Sequence, residues 1–399
     1  MKPLAGISIL DLSRVLACPF ASMVLAELGA EVIKVEQPGS GDETRGFEPF
    51  ADGPDGARVS GYFMSCNRAK RSITVNLRHA EGRAIIRGLA AKADVLVENF
   101  PVGTLKRREL DWPALKALNP RLVYLSCTGF GQTGPYAGRK GYDTVFQAMG
   151  GLMSLTGERG GGPVKPGLPV ADLTSGLWVA IAILAALRGR DATGQGGFVD
   201  FSMLDGQVAL LTIAAARFFA LGEVPPRLGT EHPGRVPTAS FRCADARFLH
   251  ITCSDQHWLP LCRALGLEAL TADAGLASNA GRLARRADVM QALTAAMAQL
   301  TRAQAVAALD AADVPNGPVL ALDDVMADPH VRARGMVGQF AHPALGDVPA
   351  LRLPYRFEGW DDPEPARPPM LGEHTEEVLS QRLGYDAARI ATLREEGVI

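Results

Sequence analysis

Short β-branched runs alternate with helical runs through the first third of the chain, and this alternation limits the possible folds more than any other feature. A strand is predicted over Gly6–Ser13 (GISILDLS), a helix over about Pro19–Leu28, and a second strand over Glu31–Glu36 (EVIKVE). The unit recurs between the strands Arg71–Leu77 and Arg121–Phe130. This spacing predicts right-handed βαβ crossovers and a parallel sheet covered on both faces. The predicted fold class is therefore α/β, with a Rossmann-like domain.

The turn after the first strand lacks the glycine fingerprint of dinucleotide-binding domains. That fingerprint, G-x-G-x-x-G, lets the backbone approach a pyrophosphate, whereas the turn here reads SRVLACP. The sequence therefore predicts a nucleotide-binding type of fold without support for an NAD site.

The length of 399 residues predicts two domains. We assign residues 1–205 and 330–399 to a large, discontinuous Rossmann-like domain. Residues 206–229, which contain Pro225 and Pro226, are predicted to form a linker. Residues 230–329 begin with a hairpin pattern (TASFRCADARFLHITCSD) followed by helical stretches, so we expect a small, inserted α+β domain.

Composition and charge exclude several classes of protein. Hydrophobic residues make up 47% of the chain and the net charge is −2, which indicates a folded protein without a nucleic-acid partner. The six cysteines contain no C-x-x-C pair, as expected of reduced thiols. The start of the chain lacks signal-peptide features. The apolar stretch Leu173–Leu187, about fifteen residues, falls short of the roughly twenty needed to span a bilayer. We therefore expect a cytoplasmic protein that does not contact membranes.

A single carboxylate, Asp172, precedes one of the most apolar helical stretches, in the sequence PVADLTSGLWVAIAILAALRG. Aspartate is a preferred N-cap residue, and its oxygens would accept the amide hydrogens of Thr174 or Ser175. The same helix terminus would keep the carboxylate ionised and available as a nucleophile. Capping and catalysis are compatible, and the local sequence does not separate them.

Basic residues follow a predicted strand in the segment ENFPVGTLKRR. Asn99 and Phe100 stand at the end of this strand, and Lys106, Arg107 and Arg108 come shortly after it. Ligands of open α/β sheets bind at the carboxyl ends of strands, so this segment is the preferred candidate for phosphate contact. The histidines lack metal-ligand spacing, and no metal site is predicted.

Several long motifs, in order and nearly along the whole chain, resemble the class III CoA-transferases (the CaiB/BaiF type). This family includes formyl-CoA transferase, carnitine CoA-transferase and α-methylacyl-CoA racemase. The motifs are LAGISILDLSRVLACPFASMVLAELGAEVIKVEQPGSGDETR, NRAKRSITVNL, ADVLVENFPVGTLKR, CTGFGQTGPYAGRKGYD, PVADLTSG and RPPMLGEHTEEVL.

The resemblance implies that Asp172 is the catalytic nucleophile. In this family the aspartate attacks an acyl-CoA thioester, forms a mixed anhydride and then an aspartyl-CoA thioester, and passes CoA to an acceptor acid. Coenzyme A thioester is then a substrate, and no permanently bound cofactor is expected. The resemblance also implies CoA contacts at nine positions: Val15, Leu16, Ala17, Val75, Arg78, Asn99, Phe100, Arg107 and Lys140.

Departures from the family pattern narrow the chemistry. Leu16 replaces a glutamine and Gln37 replaces a basic residue of formyl-CoA transferases, which disfavours formyl or oxalyl specificity. Racemases carry histidine where this chain has Tyr142, followed by Asp143 as a supporting residue. Because the histidine is one of the two groups that exchange the α-proton, its replacement favours transferase over racemase activity.

Within this family the sequence most resembles the CoA-transferases that use succinyl-CoA and a dicarboxylate. Two segments carry this resemblance, RVLACPFASMVLAELGAEVIKVEQPGSGDETR and RLGTEHPGRVPTASF. The resemblance implies an interlocked homodimer. The acceptor acid is not determined, and Arg45 and Arg235 are two of several arginines that would suit its distal carboxylate. A 2-methylacyl-CoA racemase and a non-catalytic CoA-binding protein are the alternatives.

Overall fold

The computed structural model describes all residues, Met1–Ile399, and the chain divides into two compact units. The first unit comprises Met1–Leu152, Lys165–Ala216 and Pro329–Ile399, and the second comprises Met153–Val164 and Arg217–Asp328. Residues 206–229, predicted as a linker, are largely helical in the structure.

Thirteen strands are present. In chain order they are β1 (Ser8–Asp11), β2 (Glu31–Glu36), β3 (Phe50–Asp52), β4 (Arg58–Ser60), β5 (Arg71–Thr74), β6 (Val95–Glu98), β7 (Val123–Thr128), β8 (Gly197–Ser202), β9 (Thr238–Arg242), β10 (Phe248–Thr252), β11 (Asn316–Pro318), β12 (Val337–His342) and β13 (Gly346–Leu351).

Eighteen α-helices are present. They are α1 (Ala17–Glu27), α2 (Gly61–Cys66), α3 (Ala80–Ala90), α4 (Trp112–Leu118), α5 (Asp143–Met149), α6 (Leu152–Leu155), α7 (Val170–Thr193), α8 (Met203–Ala209), α9 (Thr212–Leu221), α10 (Asp255–Ala264), α11 (Glu268–Thr271), α12 (Asn279–Ala284), α13 (Arg286–Met297), α14 (Arg302–Ala311), α15 (Leu322–Ala327), α16 (Pro329–Ala333), α17 (Thr375–Val378) and α18 (Ala387–Glu395).

Six parallel strands form the central sheet of the first unit, in the order β5-β2-β1-β6-β7-β8. Strands β2 and β5 follow β1 on one side of it, and β6, β7 and β8 then follow on the other side. The direction of winding therefore reverses between β1 and β6, as in the Rossmann fold. This topology confirms the α/β, Rossmann-like prediction, and it places the expected ligand crevice at the carboxyl ends of β1 and β6.

Both faces of this sheet are buried, because successive side chains of each strand point to opposite faces. Leu10 and Leu96 belong to one hydrophobic cluster, which includes α3, α4 and the C-terminal helices α17 and α18. Their neighbours Ile9 and Val95 belong to the other, which includes α1 and α7. Continuous burial explains why the strands are read from sequence as near-continuous apolar runs.

The GEHT motif covers the free edge of β5. The backbone N–H of Ser72 bonds to the Nδ1 atom of His374 at 3.3 Å, and the N–H of His374 donates to the Ser72 carbonyl at 2.9 Å. The N–H of Thr74 donates to the hydroxyl of Thr375 at 3.0 Å. The motif therefore pairs edge groups that would otherwise be exposed, which is a structural role for part of the family pattern.

Helix α7 spans 24 residues and is longer than the apolar stretch read from the sequence. It ends at Gly194, whose φ of +73° is the left-handed conformation that favours glycine. By length and composition α7 could cross a membrane, and the pair α8 and α9, bent by 67°, would be a second such segment. One face of α7 lies in the core against α1, with Gly176, Val179 and Ile183 among its buried residues.

The second unit contains the antiparallel sheet β11-β10-β9 and a core of its own. Arg282 is fully buried there and donates hydrogen bonds to the carbonyls of Val236, Leu276 and Ala277. These bonds satisfy a guanidinium that would otherwise be costly to bury.

Candidate active site

Asp172 lies in the first turn of α7, two residues after the first helical residue, Val170. It does not cap the helix as predicted: the N-cap position is Pro169, and no side chain of that residue accepts a helix N–H. The helix begins earlier than the sequence suggested because a carboxylate from another helix supplies the missing acceptor.

That carboxylate belongs to Asp143, the first residue of α5. Its Oδ1 atom accepts hydrogen bonds from the backbone N–H groups of Ala171 at 2.8 Å and Asp172 at 3.2 Å. Its Oδ2 atom accepts a bond from the Nε2 atom of Gln147 at 2.6 Å. Asp143 therefore satisfies the open end of α7 and fixes the backbone that carries the Asp172 carboxyl group.

The surroundings of Asp172 favour its neutral form. Burial raises the pKa of Asp172 to about 7, and the negative charge of Asp143 adds to the rise. This result corrects the expectation that the helix terminus holds Asp172 fully ionised. A carboxylate with this pKa is a stronger base and nucleophile than an ordinary aspartate, and a large fraction remains ionised at neutral pH.

Two tyrosines flank the pair of carboxylates. Tyr142 precedes Asp143 at the start of α5, and its side chain is 75% exposed. Tyr62, on α2, was not singled out from sequence, because a lone tyrosine in GYFMSCN carries no recognisable motif. Burial and then the charge of Asp172 raise the pKa of Tyr62 to about 12. Tyr62 therefore keeps its proton at neutral pH and is able to donate a hydrogen bond on this side of the site.

The turn after β1 is strained and tightly held. Val15 has a φ of +70°, a left-handed conformation that is rare for a β-branched residue. Its N–H bonds to the Oδ1 atom of Asp42 at 3.4 Å. The N–H of the preceding residue, Arg14, donates to Asn99 Oδ1 at 2.9 Å. The Nδ2 atom of Asn99 donates in turn to the Arg14 carbonyl at 2.8 Å. Strain kept by surrounding contacts is typical of ligand-binding turns.

A buried ion pair supports the same turn. Lys34 and Asp42 are almost fully buried, with Nζ and Oδ2 at 2.8 Å, and Lys34 also donates to the Ser13 carbonyl at 3.1 Å. Burial opposes the charge on Lys34, but the carboxylates of Asp42 and Asp11 outweigh it and raise its pKa. The pair remains charged and connects β2, the turn and the loop after β2.

A cavity of about 590 Å³ opens at the carboxyl ends of β1 and β6, where the winding of the sheet reverses. Of the predicted CoA contacts, Val75, Arg78 and Phe100 line it. Arg14 and Arg108 also line it and were not among those contacts. The position is the usual ligand crevice of open α/β sheets, and its size suits a nucleotide.

The basic residues around this cavity form a cluster. Burial, followed by the positive charges of Arg78, Arg107, Arg83 and Arg14, lowers the pKa of Arg108. Only Arg14 of this cluster pairs with a carboxylate, Glu43, and at 3.3 Å. Because little negative charge balances the cluster, it is suited to the phosphate groups of a nucleotide.

The other predicted contacts have different positions. Arg107 contacts Thr104 and does not line the cavity, and Lys140 is exposed in the loop before α5. Leu16 and Ala17 have buried side chains and offer their backbone at the start of α1, where no side chain caps the helix. An uncapped helix N-terminus favours an anion.

Close packing of α1 against α7 brings the turn and the carboxylates together. A Cβ atom on Gly176 would lie 2.6 Å from the Ala17 carbonyl oxygen, so only glycine allows this approach. Gly176 lies one helical turn after Asp172. The turn that runs from Arg14 to Ala17 therefore lines the basic cavity through Arg14 and approaches α7 through Ala17.

Of the two arginines suggested for an acceptor carboxylate, Arg45 is engaged by other groups of the first unit. Arg45 makes two hydrogen bonds of 2.7 Å to Glu36, another to the Pro369 carbonyl, and lies 3.7 Å above the ring of Phe63. It is therefore fully engaged within the fold. Arg235 belongs to the second unit.

The chain is similar to known proteins along nearly its whole length. The chain is 39% identical to "Succinyl-CoA:glutarate CoA-transferase" of Mus musculus over 399 residues, covering 100% of this chain and 91% of that protein. It is 38% identical to "Succinate--glutarate CoA-transferase" of Agrobacterium fabrum, covering 95% of each chain. A crystal structure of a CAIB/BAIF family protein from Brucella suis superposes with a TM-score of 0.86 at 41% identity, covering 96% of this chain and 99% of that one.

The family model of CoA-transferase family III matches residues 4–375, which include the basic cavity, the strained turn and both carboxylates. This match, together with the relatives above, shows that the chain is a class III CoA-transferase and belongs to CoA-transferase family III.

Proposed function

We propose that the enzyme moves CoA from succinyl-CoA to a dicarboxylic acid such as glutarate, with Asp172 as the covalent nucleophile. The placement of Asp172 carries the proposal: its backbone is fixed by Asp143, and the turn from Arg14 to Ala17, which approaches its helix, lines a cavity rich in arginine. The names of the mouse and Agrobacterium relatives support the choice of donor and acceptor.

The chemistry begins with attack of an Asp172 oxygen on the thioester carbonyl carbon. The carbon–sulfur bond breaks, CoA leaves as thiolate, and a succinyl–aspartyl anhydride remains. The thiolate then attacks the carboxyl carbon of Asp172, which releases succinate and leaves an aspartyl-CoA thioester. Carboxylate plus thioester gives anhydride plus thiolate, so the exchange balances without a net proton transfer.

The acceptor repeats these steps in reverse. Its carboxylate attacks the aspartyl-CoA thioester, which expels the thiolate and forms a new anhydride. The thiolate attacks the acceptor carbonyl of that anhydride, and Asp172 is regenerated as a carboxylate. Each tetrahedral intermediate carries an oxyanion that hydrogen-bond donors stabilise. Tyr62, which keeps its proton at neutral pH, is the proposed side-chain donor.

CoA itself is proposed to occupy the cavity between β1 and β6. Arg14, Arg78 and Arg108 would bind its phosphates, and the ring of Phe100, with Arg14 5.1 Å from its centroid, would contact its base. The uncapped start of α1 would add backbone donors. Arg107 and Lys140 stay in the proposal as outer contacts, since both side chains are exposed.

The test of the nucleophile is Asp172→Ala. We expect transfer from succinyl-CoA to glutarate to fall at least about 10³-fold, because the covalent route is lost. Wild-type enzyme incubated with succinyl-CoA should gain a covalent adduct on the peptide containing Asp172, seen by mass spectrometry and removed by hydroxylamine. CoA binding by Asp172→Ala, measured by calorimetry, confirms that the variant folds. Normal transfer by a correctly folded Asp172→Ala enzyme would refute the mechanism.

The acceptor is tested with a panel of acids at fixed succinyl-CoA. Dicarboxylates of four to six carbons should give CoA esters, and monocarboxylates of equal length should react much more slowly. Equal rates for both would contradict dicarboxylate specificity. Deuterium should not enter the α-carbon of a 2-methylacyl-CoA, since the residue before Asp143 is Tyr142 and not histidine.

We also propose that the enzyme is a homodimer in the cytoplasm. The face of α7 opposite its buried side exposes Leu177, Trp178, Ile181 and Leu184, and Ile213 of α9 is 74% exposed. Apolar patches of this extent are usually covered in the functional assembly. Light scattering after gel filtration should give twice the chain mass of 42.3 kDa, and Ile181→Glu should lower it. A monomeric wild-type protein would refute the dimer.

A further inference from the structure

Gln147 is a fully buried amide that contacts the residue supporting the nucleophile. It lies on α5, one turn after Asp143, and its side chain is 0% exposed. Its Nε2 atom donates to Asp143 Oδ2 at 2.6 Å, while its Oε1 atom is buried and has no hydrogen-bond partner. An amide with one unsatisfied oxygen is more costly to bury than a leucine of similar size. Its presence at this position therefore indicates a use other than packing.

The contact restrains Asp143 through its second carboxylate oxygen. One carboxylate oxygen bonds to the N–H groups of Ala171 and Asp172, and the other bonds to Gln147. A carboxylate held through both oxygens is not free to rotate about its terminal bond. The three groups thus form one chain of contacts, from the α5 interior to the backbone of the nucleophile.

A second buried amide contacts the first turn of α7 but does not contact Asp143. Gln207, on α8, is 1% exposed, and its Nε2 atom donates to the hydroxyl of Thr174 at 3.0 Å. That hydroxyl in turn donates to the Val170 carbonyl at 2.7 Å. Gln207 also has an unpartnered Oε1 atom. It is therefore a matched control for the loss of a buried amide next to Asp172.

The geometry points to Gln147 as a positioning residue for the transfer reaction, which holds Asp143 so that Asp143 aims the Asp172 carboxyl group at the thioester. This inference rests on the proposed function only in taking Asp172 as the nucleophile. A group that aims a nucleophile affects the rate of the covalent step, since small displacements from the reactive geometry are costly. It has little effect on CoA affinity, because neither Gln147 nor Asp143 lines the basic cavity.

The first test is a double-mutant cycle on the rate of succinyl transfer to Asp172, followed by mass spectrometry in single-turnover experiments. We expect Gln147→Leu to slow this step about tenfold, with the KM for succinyl-CoA within about twofold of wild type. In an Asp143→Ala background, Gln147→Leu should cause no further loss. Gln207→Leu should slow the step by the same factor in the Asp143→Ala background as in wild type, because Gln207 acts through Thr174.

A second variant reports the hydrogen bond directly. Gln147→Glu preserves shape, and the introduced carboxyl group donates to Asp143 when protonated but repels it when ionised. The labelling rate of this variant should pass through a maximum and then fall as pH rises further, because labelling needs Asp172 ionised and the introduced carboxyl group protonated. A residue that only fills space would leave the rate rising to a plateau, as in wild type. This measurement tests the positioning role of Gln147 even if the Gln147→Leu variant does not fold.

Multiplicative effects of Gln147→Leu and Asp143→Ala, or an unaltered pH profile in Gln147→Glu, would overturn the positioning role. Both results leave wild-type labelling of Asp172 intact, so they are distinct from a failure of the proposed mechanism. That failure would appear as unlabelled wild-type enzyme or as an active Asp172→Ala variant.

Discussion

Asn99 holds Arg14 through both of the backbone groups of that residue: Oδ1 accepts the N–H at 2.9 Å and Nδ2 donates to the carbonyl at 2.8 Å. Asn99 follows β6 and Arg14 follows β1, so the contact joins the two strand ends between which the winding of the sheet reverses. The resemblance suggested that Asn99 contacts CoA. The structure adds a role in fixing the turn that presents Arg14 to the cavity.

Removing this clamp should weaken binding of the acyl-CoA substrate. Asn99→Ala loses two hydrogen bonds, each worth about 1 kcal/mol, and frees the turn that holds Val15 in its left-handed conformation. We expect the KM for acyl-CoA to rise about tenfold, with a smaller change in kcat.

Asn99→Asp is a second probe, because its carboxylate accepts the Arg14 N–H but repels the Arg14 carbonyl oxygen and adds a negative charge beside the proposed phosphate site. Its KM should be at least as high as that of Asn99→Ala. Steady-state kinetics with varied succinyl-CoA would measure both. Equal KM values for Asn99→Ala and wild type would exclude the clamp as a determinant of binding.

Neighbouring arginines 107 and 108 should differ in importance. Arg108 lines the cavity, whereas Arg107 points to Thr104. Arg108→Gln should therefore raise the KM for acyl-CoA about tenfold, and Arg107→Gln about twofold, since charge-assisted bonds to phosphate are stronger than distant attraction. The effect of Arg107→Gln should fade in high salt. A larger rise in KM for Arg107→Gln than for Arg108→Gln would instead support the direct CoA contact that the resemblance implied for Arg107.

The sheet was predictable from sequence because each βα unit is local. EVIKVE is a strand over Glu31–Glu36 as predicted, and the helix predicted over Pro19–Leu28 extends over Ala17–Glu27. Buried parallel strands and amphipathic helices leave periodic patterns that depend on near neighbours. The Rossmann-like class followed from these patterns.

The details of the site were less predictable because they depend on contacts between distant residues. Asp172 was expected to cap its own helix, but Asp143, 29 residues earlier, supplies the acceptor. Tyr62 and Gln147 have no local signature, and they gain importance only through their position next to these carboxylates. Asn99 and Arg14, 85 residues apart, likewise form a clamp that spacing does not reveal.

Asp172, the proposed nucleophile, should make the protein less stable at neutral pH. The pKa of Asp172 is raised from 3.8 to about 7 by burial and Asp143, so the folded state binds this proton more tightly than the unfolded state. Its contribution favours folding below pH 4 and is lost as pH rises to about 7. The loss amounts to roughly 2–4 kcal/mol at about 1.4 kcal/mol per pKa unit.

Asp172→Asn removes this titration and keeps the shape of the side chain. The variant should therefore gain stability relative to wild type as pH rises from 4 to 8, which urea unfolding at several pH values would measure. If the difference in unfolding free energy between the variant and wild type does not change with pH, folding does not raise the pKa of Asp172.

The acidic limb of the rate profile should report the charge on Asp143. The proposed mechanism requires ionised Asp172, whose pKa is about 7, so the wild-type rate should rise with pH through this value. Asp143→Asn removes the like charge but keeps an oxygen that accepts the N–H groups of Ala171 and Asp172. The midpoint should move to lower pH, and only in part, because burial is the larger cause of the raised pKa. The rate of Asp172 labelling between pH 5 and pH 9 measures the shift, and an unchanged or higher midpoint would show that Asp143 acts through geometry alone.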